Sequence, residues 1–232
     1  MDYSYLDKNL ELVKSQIQKA AEKCGRDSGD VLLMPAVKYA DAQQINYLHT
    51  RLGVNDIGEN RVQQLLERWH KLEREGLRVH FIGSLQTNKV KYIIDKVCLI
   101  HSLDSERLAA EIDRQAKKHG LVMDVLVEVN SGHEESKGGI EPQDVEAFCN
   151  IISQYEGIRL RGFMTMAPKC EDKSMYHKYF SQTRELCCDI WYNKLKMTDS
   201  PILSMGMSDS YEQAVAEGST LVRVGSLLFR QI

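Results

Sequence analysis

Eight short apolar segments, joined one to the next by amphipathic stretches, constrain the fold of this 232-residue chain more than any other feature. The candidate strands are VLLMPAV (31–37), GVNDIG (53–58), VHFIG (79–83), VCLIHS (97–102), MDVLVEVN (123–130), RLRGFMTM (159–166), PILSMG (201–206) and TLVRVG (220–225). Helical periodicity fills the intervals at 41–52, 60–75, 105–119, 142–155, 175–196 and 208–217, and more weakly at 88–95. Several strands are apolar on both faces, as in a sheet covered on both sides. Eight β/α repeats are the count that closes a (β/α)8 barrel, and an open doubly wound sheet is the rival. Ahead of the repeats, residues 1–24 read as one more helix, with Leu6, Leu10, Val13, Ile17, Ala20 and Cys24 on a single stripe. No Pro/Ser-rich linker divides the chain, so residues 1–232 read as one domain.

Composition removes several classes of function. Thirty Lys and Arg against 33 Asp and Glu leave no basic field for nucleic acid. No apolar run is long enough to span a bilayer, and the charged N-terminus does not read as a signal peptide. The six cysteines form no Cys-x-x-Cys pair, so zinc-ribbon and thioredoxin chemistry are not indicated, and no metal site is expected. This usage fits a reducing cytoplasm.

Catalytic and binding residues of a (β/α)8 barrel lie on the loops that follow the strands. Lys38 directly follows the first strand. An amine partly withdrawn from water there suits attack on an aldehyde, and a solvated strand-end lysine is the plain alternative. The seventh and eighth turns carry Ser204, Gly206, Ser208, Gly225 and Ser226. Hydroxyls, glycines and helix-start N–H groups make an anion cradle, although Gly and Ser are also ordinary turn residues. Arg223 interrupts an apolar strand and needs a partner: an anion, a ring nitrogen, or a barrel carboxylate such as Glu128. Asn60 is placed to cap the helix that follows the second strand. His80 and His101 read as core histidines without metal spacing. Met164, Met166, Met205 and Met207 offer a soft lining, suited to an aromatic ring or to packing alone.

These residues fall within longer motifs: AVK (36–38), IGENRVQ (57–63), HFIGSLQTNKVK (80–91), the series Asn130, Glu134, Lys137 and Gly139, RGFMTMAP (161–168), SMGMSDSYEQAVAEGST (204–220) and VRVGSLLF (222–229). In that order they resemble the YggS/PROSC family of pyridoxal 5′-phosphate (PLP) homeostasis proteins. That family's fold resembles the N-terminal barrel of alanine racemase. The resemblance implies PLP covalently attached through Lys38, with Asn60 near its phenolic oxygen. It implies phosphate contacts from Ser204 or Ser208 with Gly225 and Ser226, and a wall of Met205, Gly206 and Met207. It places Arg223 at the pyridine nitrogen, with a phosphate contact as the alternative. Val37 before Lys38 and Tyr39-Ala40-Asp41 after it depart from the family's usual residues.

An arginine at the ring nitrogen weakens the cofactor's electron sink, and a racemase needs a second base from another domain, for which one barrel leaves no length. The expectation is therefore a cytoplasmic, monomeric PLP binder and carrier with no catalytic residues, in transient contact with apo PLP enzymes, and with no nucleic-acid or membrane partner. A PLP-dependent amino-acid racemase is the alternative within the same cofactor class. A Schiff-base aldolase acting through Lys38 is the alternative outside it.

Overall fold

The computed structural model describes residues 3–132 and 138–231. Eight parallel strands follow one another around a barrel: β1 (Leu32–Pro35), β2 (Asp56–Glu59), β3 (Arg78–Phe81), β4 (Leu99–Leu103), β5 (Met123–Val129), β6 (Ile158–Thr165), β7 (Ile202–Met207) and β8 (Leu221–Val224). The ladder runs β1-β8-β7-β6-β5-β4-β3-β2. It closes where Ala36 bridges Gly58 and the Val37 N–H donates to the Gly58 carbonyl at 2.9 Å. The expected barrel is present, and the open-sheet rival is set aside by that closing bridge.

Among the described residues the helices are α1 (Ser4–Lys23), α2 (Ala42–Thr50), α3 (Val62–Arg68), α4 (Val90–Ile93), α5 (Glu106–Lys118), α6 (Val145–Ile152), α7 (Ser174–Cys188), α8 (Tyr211–Ala216) and α9 (Ser226–Phe229). Local chemistry sets several of their starts. Asp41 and Gln44 form a reciprocal capping box at α2, with both bonds at 2.8 Å. The Ser105 hydroxyl accepts the Leu108 N–H at the start of α5. Several expected helices are shorter than their periodicity implies. α3 ends at Arg68 and tightens into a turn because Leu72 enters the core. α8 begins only at Tyr211, because residues 208–210 turn back so that the Ser210 N–H reaches the Met207 carbonyl.

Strand residues divide by the two-residue period. Ile57, Val79, Phe81, Val125, Val127 and Phe163 point outward into the helix layer. Met34, Ile82 and Leu221, and separately Leu99, Leu126 and Met164, pack in small groups within the bore. α1 lies across the outside of the barrel seam, where Leu6, Leu10, Val13 and Ile17 meet Leu48, Tyr211, Val215, Val222 and Leu228. Each such buried aliphatic side chain stabilises by about 1.5–3 kcal/mol. Cys24, expected on the same stripe, is exposed just beyond the end of α1. No helix among the described residues is long and apolar enough to cross a membrane.

Candidate functional site

The carboxyl ends of β1, β7 and β8 bring the Lys38 turn, Ser208 and the Gly225-Ser226 turn to one mouth of the barrel. Register pairs Met34 with Arg223 and Pro35 with Val224, so Lys38 and the Gly225-Ser226 turn leave adjacent strands at the same end. Gly225 packs against that neighbour: a Cβ built on it would stand 3.0 Å from the Ala36 carbonyl oxygen. Its N–H donates to the Ser208 hydroxyl at 3.2 Å, which joins the seventh and eighth turns. Beyond it, the N–H groups of Ser226 and Leu227 start α9 and have no acceptor among the described residues.

Arg223 is 4% exposed and faces the bore. Its Nη1 donates to the Ser204 carbonyl at 2.7 Å and the Ser204 hydroxyl at 2.6 Å, while Nη2 donates to the Thr165 carbonyl at 2.9 Å. The ion pair with Glu128 weighed from the sequence does not form. Burial lowers Arg223 to about 10, with Glu128 countering, so it stays a cation at neutral pH. Burial pushes Glu128 up to about 7, Asp104 adds to the rise, and Arg223 opposes it. Three of the five guanidinium hydrogens of Arg223 are used, which leaves two without an acceptor among the described residues.

Several predicted residues take other positions. Ser204 is fully buried and committed to Arg223 and His101, so it sits beneath the arginine rather than at the Gly225-Ser226 turn. Met205 turns outward into the helix-layer core, and Met207 is exposed at the rim. Gly206 has φ +89°, and a Cβ there would stand 2.5 Å from the Ala214 Cβ. The close approach of α8 therefore accounts for this glycine. Asn60 does not cap α3, whose N-cap is Arg61; its Oδ1 is buried with no hydrogen-bond partner among the described residues. Lys38 is exposed, with Nζ 4.8 Å above the Tyr39 ring. It lines a surface cleft with Gln64, Glu67 and Lys71, and its amine is not brought to Arg223. Glu134 and Lys137 lie outside the described residues.

Two features of the site are not legible from composition or periodicity. Arg68 clamps the Lys38 turn: it donates to the carbonyls of Val37 and Ala40, and its Nη2 lies 2.8 Å from the fully buried Glu59 carboxylate. Burial raises Glu59 above the usual carboxylate range, and Arg68 holds it back. The second feature is a line of buried side chains below Arg223. It passes from Ser204 to His101 at 3.0 Å, on to His80 at 3.0 Å, and on to Asp56 at 2.9 Å. Asp56 lines a cavity of about 430 Å³ at the opposite end of the barrel, with Arg78, Asp124 and Arg161. The described residues form no cluster suited to a metal ion.

A (β/α)8 barrel that carries a lysine after its first strand and a Gly-Ser turn after its last defines a class. The family described as alanine racemase, N-terminal domain, matches residues 8–231. The pyridoxal phosphate homeostasis protein of Aquifex aeolicus is 42% identical over 222 residues, covering 95% of each chain. The chain belongs to the family of pyridoxal phosphate homeostasis proteins. A crystal structure of a protein from Bifidobacterium adolescentis matches with a TM-score of 0.90 at 33% identity, over 99% of this chain and 97% of that one. PipY of Synechococcus elongatus, solved with PLP bound, matches with a TM-score of 0.79 at 29% identity, over 93% of this chain and all (100%) of that one.

The residues present fit a phosphorylated pyridine aldehyde. Free N–H groups and a hydroxyl meet at the Gly225 turn, as an anion requires. Arg223 holds unspent donors for a ring acceptor, and Asn60, which follows β2 at the same end of the barrel, has a buried Oδ1 with no partner among the described residues.

Proposed function

We propose that this protein holds PLP, covalently through Lys38, as an intracellular store that hands the cofactor to apo enzymes. When bound, PLP supplies an aldehyde that condenses with amines and a ring that withdraws electrons when its nitrogen is protonated. The observation that carries the reading is Arg223, a buried cation anchored on Ser204 and Thr165 rather than on a carboxylate. A guanidinium facing the ring nitrogen donates to it and repels a proton there, so it binds the ring while weakening the electron sink. Ser208 and Ser226, with the N–H groups of Ser226 and Leu227, hold the phosphate. Asn60 orients toward the phenolic oxygen.

Attachment requires the Lys38 side chain to leave the Tyr39 ring and turn into the mouth. An exposed cation–π contact is worth only about 0.5–1 kcal/mol, so this movement costs little against a covalent bond. The Arg68 clamp keeps the turn itself in place on both sides of the lysine.

Borohydride reduction of the PLP-loaded protein, followed by peptide mass analysis, is expected to place the adduct on Lys38. A principal adduct on Lys89, Lys91 or Lys137 would overturn the assignment. In deuterated water with L- or D-amino acids, the loaded protein is expected to show no sustained α-deuterium uptake. Turnover that disappears in Lys38→Ala would make it an enzyme instead.

A further inference from the structure

Five side chains from five different strands form one continuous hydrogen-bonded line through the bore: Arg223 on β8, Ser204 on β7, His101 on β4, His80 on β3 and Asp56 on β2. None is more than 5% exposed. The chemistry of the two ends determines the direction of every hydrogen in between. Arg223 can only donate, so Ser204 accepts from it. At the other end an ionised Asp56 can only accept, and its second oxygen already takes a hydrogen from Arg78 at 2.6 Å. His80 therefore donates through Nε2, which leaves its Nδ1 bare when the ring is neutral. Its neighbour His101 must then donate from Nε2 and accept at Nδ1, and the hydrogen it accepts is the Ser204 hydroxyl proton. Read from either end, the line has the same polarity, and no member has two donors or two acceptors facing each other.

The reverse polarity fails on the same groups. With a second proton on His80, Nδ1 would become a donor, and His101 would have to donate to Ser204. The serine would then accept from both sides, and its own hydrogen would have no acceptor among the described residues. The charged groups around the two rings are Asp56 on β2, Arg78 at the start of β3, Asp124 on β5, Arg161 on β6 and Arg223 on β8, with Glu128 on β5 acting on Arg223. Burial first, and then His80 and Arg223, keep His101 well below the ordinary histidine range. At Asp56 burial acts upward, but the hydrogen bonds from His80 and Arg78 outweigh it and leave the carboxyl lowered.

We infer that Asp56, His80 and His101 are positioning residues for the cofactor, acting through Ser204 on Arg223. They supply the arginine with a remote counter-charge along a line of neutral groups, and so leave its remaining N–H donors for the ring nitrogen. A carboxylate in direct contact would occupy those donors and neutralise the cation at the site. A line of neutral groups instead orients the guanidinium and keeps its full charge at the mouth. This inference rests on the reading that Arg223 faces the PLP ring, but the polarity of the line does not.

The experiment therefore has two arms. In cofactor-free protein labelled with 15N-histidine, two-bond 1H–15N correlation at neutral pH is expected to show both rings protonated at Nε2 and bare at Nδ1. Spectra of His80→Gln and His101→Gln supply the assignments. Finding either ring as the Nδ1–H tautomer or doubly protonated would overturn the inference, and this measurement needs only the wild-type fold. In Asp56→Asn, which puts an amide where the anion stood, the His101 pattern is expected to be lost although Asp56 does not touch His101. The 15N signal of labelled PLP in the loaded variant is expected to shift from its wild-type position. A His101 tautomer indifferent to Asp56, or an unmoved ring signal, would reduce the histidines to packing. Failure of PLP to attach at Lys38 would sink the proposed function while leaving the tautomer result standing.

Discussion

Replacing Arg68 by Ala tests the clamp on the Lys38 turn. Arg68 is 8% exposed, and its guanidinium lies 2.8 Å from a carboxylate with no exposure at all and donates to the carbonyls of Val37 and Ala40. Removing one partner of a buried pair costs about 3–5 kcal/mol, because the other charge is left without compensation. Two carbonyls also lose their donor, but water entering the vacated space offsets part of that loss, so about 4 kcal/mol in all is expected. Against a total stability of roughly 5–15 kcal/mol this is severe. The deficit also depends on pH in a known direction. Glu59 titrates above its ordinary value in the folded protein, so it binds its proton more readily there than in the unfolded chain. Its contribution to stability is then most favourable at acid pH and declines as pH rises through the raised value. Without Arg68 the carboxyl moves higher still, so Arg68→Ala should lose less at pH about 5 than at pH about 8. Urea denaturation at both values reads this directly, and amide exchange at Val37 and Ala40 should quicken as the turn loosens. The double variant Glu59→Leu/Arg68→Met removes both charges at similar volume and should recover most of the loss. A cost below about 1 kcal/mol, or a double variant no better than the single, would refute the clamp.

Other outcomes follow from the same physics. Glu128 titrates near 7 in the folded protein against 4.5 when free, so the cofactor-free protein should lose stability as pH rises across that interval. The effect is at most about 3 kcal/mol, and denaturation curves of Glu128→Gln should lack it; parallel pH profiles for the two proteins would remove this assignment. Gly206→Ala places a Cβ 2.5 Å from Ala214 on a backbone with φ +89°, and should cost about 2–4 kcal/mol in urea. A loss under about 0.5 kcal/mol would show that α8 has room to withdraw.

What the sequence determined by itself is local in origin. Short apolar runs between amphipathic stretches marked the eight strands, and a helical period marked the stripe of α1, because both depend only on neighbouring residues and which way their side chains point. Lys38, Gly225 and Ser226 were legible as mouth residues because they follow strands, and that end of a barrel is where loops converge. Their motifs carried the family. Tertiary structure decided which inward side chains meet. His101 and Ser204 are 103 residues apart, and only the stagger of β4 against β7 across the bore brings them within 3.0 Å. The same closure made Ser204, one of two serines expected at a phosphate, the support of Arg223, gave Arg223 carbonyls in place of Glu128, and set Gly206 against α8. Arg68 was invisible for a related reason: on a helix of ordinary composition, its reach to the turn that bears Lys38 appears only once the barrel is closed. Spacing along a chain carries the direction of each side chain, whereas the partner it finds depends on where another strand, far along the chain, comes to lie.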